Sequence, residues 1–140
     1  MKQIPVIFWT GTGNTQMMAD AVAEAINAAG AEAVVKNVSE ITADEAVGYD
    51  ALALGCPAMG AEVLEECEFE PFFTELEAKL AGKKVALFGS YGWGGSYMQD
   101  WEARVKDAGA TLVADGVLAL GAPDDEAMAK LAEAGKLLAE

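Results

Sequence analysis

Ile4-Pro5-Val6-Ile7-Phe8-Trp9 is an apolar run that stops abruptly at Thr10-Gly11-Thr12-Gly13-Asn14-Thr15. Beyond it, Met18, Val22, Ala25, Ile26 and Ala29 recur at helical spacing as far as Gly30, which suits a helix C-cap. Strand, glycine-rich turn and helix in that order open a β-α-β unit. The alternation continues. Ala31 to Val38 reads as a strand, and the polar stretch Thr42 to Val47 has room for a helical turn or two. Ala51-Leu52-Ala53-Leu54-Gly55-Cys56 is a buried strand stopped by Pro57. Phe69, Phe72, Phe73, Leu76 and Leu80 mark one helix face, with Gly82 as its stop and Lys83-Lys84 beside its negative end. Val85 to Phe88 is a strand stopped by Gly89. Met98, Trp101, Val105 and Ala108 line a helix ending at Gly109. Thr111 to Leu120 is one uninterrupted strand, and Met128, Leu131, Gly135 and Leu138 line a last helix. Strands that are apolar throughout are covered on both faces, so the pattern predicts an open parallel α/β sheet with helices on each side. Residues 1–140 read as one domain, with no linker or repeat.

Composition narrows the chemistry. Nine Lys and Arg stand against 23 Asp and Glu, a net charge of −14. That balance argues against nucleic acid or an anionic membrane surface as a partner, since both are bound through cations. The chain has no histidine, which removes Ser-His-Asp and Cys-His catalysis and histidine-ligated metals. It is nevertheless 53% apolar, too hydrophobic for a disordered acidic chain. Cys56 and Cys67 form no CxxC pair, and they read as buried or inert thiols of a reducing compartment. No stretch looks like a secretion signal or a membrane span, so a cytoplasmic protein is expected.

Ligands of open parallel sheets bind beyond the carboxyl ends of the strands. Three loops meet at that edge. Thr10-Gly11-Thr12-Gly13-Asn14-Thr15 offers amides, hydroxyls and a helix start, which suits one phosphate held by neutral donors. It lacks the lysine of a Walker motif and the spacing of a dinucleotide fingerprint. Pro57-Ala58-Met59-Gly60-Ala61-Glu62 says little alone, because a loop Met is usually packing and a loop Glu usually solvated. Gly89-Ser90-Tyr91-Gly92-Trp93-Gly94-Gly95-Ser96 holds a Trp among glycines, placed either to stack on a flat ligand or to fold back onto the core.

Taken together, these segments resemble the flavodoxins, specifically the short-chain type of anaerobic bacteria. The resemblance rests on Trp9 to Thr15, on Gly55-Cys56-Pro57-Ala58-Met59-Gly60 with Glu62, and on Leu87-Phe88-Gly89-Ser90-Tyr91-Gly92-Trp93-Gly94. It spans essentially the whole chain. It implies a flavodoxin-like doubly wound five-stranded parallel sheet of order 2-1-3-4-5, for which flavodoxin itself is the standard example, with FMN at the switch point between strands one and three. It further implies that Thr10, Gly11, Thr12, Gly13, Asn14 and Thr15 hold the FMN phosphate. Pro57, Ala58, Met59, Gly60, Ala61 and Glu62 would then line the ring, with Met59 on its inner face and Glu62 accepting the N3 proton. Trp93 would stack on the outer face, Ser90 and the amides around Gly92 would approach the ribityl or pyrimidine side, and Tyr91 and Gly94 would complete the site. The Gly60–Ala61 peptide matches the one that turns its carbonyl to N5–H on one-electron reduction. Pro57 stands where some members have serine, which removes one phosphate hydroxyl. The uninterrupted reading of Thr111 to Leu120 fits the short-chain type, which lacks an insertion there.

The implied function is a low-potential one-electron carrier with noncovalent FMN, acting in place of ferredoxin, and not an enzyme. An FMN-dependent quinone or NAD(P)H reductase on the same fold is the alternative, and a phosphate-binding domain without flavin is a third reading. From Ala61 to Glu77 there are seven acidic residues and no basic one. Such a run is either a solvated helix face whose early carboxylates complement the positive helix end, or an acidic rim that steers the basic surfaces of ferredoxin- and flavodoxin-dependent oxidoreductases toward the flavin of a monomeric carrier. A hydrogen bond to N5–H favours the neutral semiquinone, while net charge −14 and the absence of loop cations oppose the anionic fully reduced ring. Potentiometric titration should therefore resolve two separate one-electron steps, the second at low potential. A single two-electron wave would contradict it.

Overall fold

The computed structural model describes residues 2–11, 13–58, 64–91 and 96–140. Strands β1 (Gln3–Phe8), β2 (Glu32–Asn37), β3 (Ala51–Gly55), β4 (Lys84–Tyr91), β5 (Thr111–Leu112) and β6 (Val117–Leu120) form one sheet. Its order is β2-β1-β3-β4-β5, and β6 also pairs with β4. Every pairing is parallel. This is the order that the resemblance implies. Helices α1 (Asn14–Ala28), α2 (Ala43–Ala46), α3 (Phe69–Glu77), α4 (Ser96–Asp107) and α5 (Asp125–Ala139) connect the strands, with a 3-10 turn at Val38–Glu40.

The apolar strands divide by the period of two. Ile4, Val6, Phe8, Ala51, Ala53, Ala86 and Phe88 face Met18, Val22 and Ile26 of α1 and Leu131 and Leu138 of α5. Ile7, Leu52, Leu54, Val85 and Leu87 face Phe69, Phe73 and Leu76 of α3 and Met98, Trp101 and Val105 of α4. The double cover explains why β3 is buried at every residue, whereas the edge strand β2 is only partly buried. Trp101 anchors the second layer. Its ring meets Phe69 and Phe73 edge-on at 5.5 and 5.9 Å, near the preferred aromatic geometry.

Several boundaries differ from the reading above. The expected fifth strand is broken into β5 and β6. The break is explained at Gly116, whose amide donates to the Glu102 carboxylate at 2.7 Å instead of extending the ladder. A Cβ at Gly116 would lie 2.4 Å from the Met98 sulfur, so a larger residue there would have to displace the Met98 side chain. β4 does not stop at Gly89 but runs on to Tyr91, which puts Ser90 and Tyr91 on the strand. α3 ends at Glu77, before Leu80 and Gly82. Lys83 donates to the Val47 and Tyr49 carbonyls at 2.8 and 2.9 Å, not to the end of α3. Met128 is exposed, and the buried face of α5 is Ala127, Leu131, Ala134, Gly135 and Leu138. Cys56 is buried, but Cys67 is exposed, and both are free.

Arg104 clamps α3 to α4. Its guanidinium binds both carboxylate oxygens of Glu70 at 2.7 and 2.9 Å and both of Glu77 at 3.0 and 2.9 Å. It also lies 4.7 Å over the Phe73 ring. The Arg104 hydrogen bonds hold the Glu70 carboxyl below its ordinary value near 4.5, against the opposing effect of burial. Glu70 therefore binds a proton less readily in the folded than in the unfolded chain. The resulting stability is complete above the ordinary carboxylate range and fades as pH falls through the lowered folded value. We expect Arg104→Ala to cost about 1–2 kcal/mol at neutral pH, since the pairs are only partly shielded from solvent. Denaturant titrations at several pH values should show the difference from wild type shrinking below the carboxylate range.

Candidate functional site

The carboxyl ends of β1, β3 and β4 lie side by side, as their register requires: Phe8 pairs with Gly55, and Gly55 with Phe88. The chain leaves each strand at this edge, because the next apolar segment lies in a helix on one face or the other. After β1 it crosses Trp9, whose amide donates to the Gly55 carbonyl at 3.0 Å. Gly11 passes close over the Trp9 ring, where a Cβ would come within 3.1 Å. The Thr10 hydroxyl accepts from the Gly13 amide at 3.0 Å and folds the loop into the start of α1.

The N-terminus of α1 is built unlike those of α2, α3 and α5. α2 has Thr42 accepting from the Glu45 amide, and Glu45 returning to Thr42. α5 has Asp124 accepting from Ala127, with Asp125 and Glu126 in its first turn. At α3 the Glu65 carboxylate accepts from the amides of Cys67, Glu68 and Phe69 at 2.8, 2.7 and 2.9 Å. α1 instead starts from Gly13 in the left-handed conformation (φ 94°), with no side-chain cap and no acid in its first turn. Its leading amides have no partner inside the helix, and the helix dipole adds positive potential there. The Thr15 hydroxyl, 1% exposed, faces the Ser90 hydroxyl, 7% exposed, at 3.4 Å. Each hydroxyl can donate and accept, so one long mutual contact leaves capacity for a further oxygen. Buried hydroxyls beside an uncapped helix start, with no charged side chain among Thr10, Gly11, Gly13, Asn14, Thr15 and Ser90, suit an anionic group held by neutral donors. The phosphate of FMN fits that donor set.

Ser90 also joins the loops. Its carbonyl accepts the Ala58 amide at 2.9 Å, so one residue of β4 touches the loop after β1 through its hydroxyl and the loop after β3 through its backbone. The Tyr91 carbonyl accepts the Gly121 amide at 3.1 Å, tying the end of β4 to the end of β6. The structure thus brings together Thr10, Gly11, Gly13, Asn14, Thr15, Pro57, Ala58, Ser90 and Tyr91 at one edge. Thr12, Met59, Gly60, Ala61, Glu62, Gly92, Trp93 and Gly94 lie outside the described residues. Among the described residues no group of His, Cys, Asp or Glu is arranged to hold a metal, and no helix is long and apolar enough to cross a membrane.

Glu65 takes the place expected of an early carboxylate at the positive helix end, but buried rather than solvated. It is 5% exposed and is consumed in capping α3. Burial raises its pKa, but the three amide hydrogen bonds outweigh that and hold the carboxyl low. The signal was its place one turn ahead of Phe69, where a carboxylate meets the positive helix end. Glu70 and Glu77 are occupied by Arg104. Glu66, Glu68 and Glu75 remain exposed.

Comparison with known proteins agrees with this architecture. The family model described as "Flavodoxin" matches residues 6–135. The chain is 47% identical over 135 residues to a flavodoxin of Clostridium beijerinckii, covering 96% of this chain and 97% of that one. It is 46% identical over 116 residues to a flavodoxin of Megasphaera elsdenii, covering 82% and 85% of the two chains. The solution structure of two-electron reduced M. elsdenii flavodoxin superposes with a TM-score of 0.90 at 42% identity, over 97% of this chain and 98% of that one.

Proposed function

The chain belongs to the flavodoxin family, the FMN-binding electron carriers, and on that premise we propose which residues hold the flavin and which surface meets the partner. The observation that carries the site assignment is the pair of buried hydroxyls, Thr15 and Ser90, beside the uncapped start of α1.

Bound FMN supplies one-electron chemistry that no side chain here offers. The amides at Gly11, Gly13 and the start of α1 hold its phosphate, with the hydroxyls of Thr10, Thr12, Thr15 and Ser90 and the amide group of Asn14. Met59 and Trp93 flank the ring and exclude water, with Pro57, Ala58, Tyr91, Gly92 and Gly94 around it. Glu62 accepts the N3 proton. The Gly60–Ala61 peptide would offer its carbonyl as a hydrogen-bond acceptor at N5 of the ring. The protein is a carrier and not an enzyme, and nothing in the fold or its relatives favours a reductase acting on quinones or NAD(P)H.

The proposed partners are ferredoxin- or flavodoxin-dependent oxidoreductases with basic docking surfaces, met by a monomeric carrier in the cytoplasm. Support comes from the net charge of −14 and from the exposed Glu66 and Glu68 close to the loop after β3. The two free thiols fit a reducing compartment.

Ser90→Ala and Thr15→Val each remove one hydrogen bond to a charged group, a loss of about 1.5–3 kcal/mol. Each should weaken FMN binding to the apoprotein about tenfold or more, read as quenching of flavin fluorescence. Unchanged affinity in both would overturn the phosphate assignment. Electron-transfer rates to a basic oxidoreductase should fall steeply with salt, and Glu66→Gln with Glu68→Gln should flatten that dependence.

A further inference from the structure

Trp9 joins the loop after β1 to the start of α3. Its amide donates to the Gly55 carbonyl at 3.0 Å, which pins its backbone to β3. Its half-buried ring packs against the core layer under α3 and α4. The indole N–H donates to the Glu68 carboxylate at 3.3 Å. The benzene edge of the same ring lies against Gly11, where a Cβ would come within 3.1 Å of Cη2 and 3.3 Å of Cζ3. Next to it the Thr10 hydroxyl accepts from the Gly13 amide at 3.0 Å and turns the chain into α1.

Glu68 is free for this contact. It stands at the N-cap of α3, but its side chain makes no capping hydrogen bond. Capping falls to Glu65, whose carboxylate takes the amides of Cys67, Glu68 and Phe69. Arg104 in turn clamps α3 to α4. The exposed Glu68 carboxylate therefore stands on a fixed element, and one indole carries that fixity across to Gly11. Glycine loses more backbone freedom on ordering than any other residue. A loop of glycines and threonines held in shape before an anion arrives is spared that cost at the binding step.

We propose that Trp9 is a positioning residue for the phosphate loop, oriented by Glu68 through its indole N–H. The assignment rests on the reading of Thr10 to Thr15 as the FMN phosphate site. Charge and positioning have opposite signs here. A carboxylate near an anion site repels the anion, so by charge alone the loss of Glu68 tightens phosphate binding. If Glu68 holds Trp9 in place, its loss weakens it.

Three variants use that difference. Glu68→Ala removes the acceptor and leaves α3 with its Glu65 cap. Glu68→Gln removes the charge but keeps an oxygen that accepts the indole N–H. Trp9→Phe removes both the donor and the edge against Gly11. The apoproteins should be titrated with FMN and with riboflavin, which has the same ring and ribityl chain but no phosphate, and followed by flavin fluorescence. With one hydrogen bond lost, Glu68→Ala should bind FMN about fivefold more weakly and riboflavin as wild type does, so the preference for FMN narrows. Trp9→Phe should narrow it at least as much, and Glu68→Gln should bind FMN as tightly as wild type or tighter. FMN affinity unchanged or raised in Glu68→Ala overturns the proposal. So does an equal loss for both flavins, which marks general distortion, and so does a loss in Glu68→Gln equal to that in Glu68→Ala. If Trp9→Phe does not fold, the two Glu68 variants decide, and if riboflavin is not taken up, the FMN affinities decide by the same signs. Wild type binding riboflavin as tightly as FMN would overturn the phosphate-loop reading as well; a preference for FMN that is present but unmoved in Glu68→Ala overturns this proposal alone.

Discussion

The structure depends on one constraint: the central strands are buried on both faces, so polar chemistry can be placed only at their ends. β1, β3 and β4 pair with neighbouring strands and are buried along most of their length, with mainly apolar side chains on both faces. Polar side chains in those strands would have to be buried without partners, at a cost of roughly 1–3 kcal/mol each. The chain therefore keeps its hydroxyls for the carboxyl edge. Thr15 and Ser90 are buried there only because they face each other and an open helix start.

The same constraint made most of the fold legible in the sequence. Continuous apolar runs such as Ala51 to Leu54 have few alternatives to a doubly covered strand, and the glycine-rich turn after Phe8 marks the switch from strand to helix. Reading failed where a tertiary contact overrode local pattern. Thr111 to Leu120 is uniform in sequence but breaks at Gly116, because Glu102 captures that amide from another element. Gly89 looks like a stop, yet it continues β4, because its missing side chain admits the Tyr97 hydroxyl to the Cys56 carbonyl. Lys83 looks like a helix-end charge but serves the carbonyls beyond α2. Each case turns on a partner far along the chain, which spacing alone does not reveal.

The candidate site was legible for a different reason. Its loops are unusual in composition because they present backbone amides and small hydroxyls, and glycine and threonine are the residues that expose them. What composition could not distinguish was the use of each carboxylate. Within one acidic run, Glu65 caps α3, Glu70 and Glu77 hold Arg104, Glu68 accepts the Trp9 indole N–H at 3.3 Å, and Glu66 and Glu75 are exposed. Only burial and partners separate these roles.

That division bears on how an acidic protein can hold a phosphate. Part of the acidic run is neutralised in effect, Glu65 by three amides and Glu70 and Glu77 by a guanidinium. The exposed ones act through water and are screened beyond about 10 Å at moderate salt. The amides at the start of α1 act at hydrogen-bond distance and are already oriented, so no reorganisation is needed when an anion arrives. Short-range dipoles therefore decide what binds at the edge. The long-range charge decides which surfaces approach it and opposes a second negative charge on whatever is bound there. An uncharged cradle inside an acidic shell would combine affinity for one anion with resistance to a further negative charge.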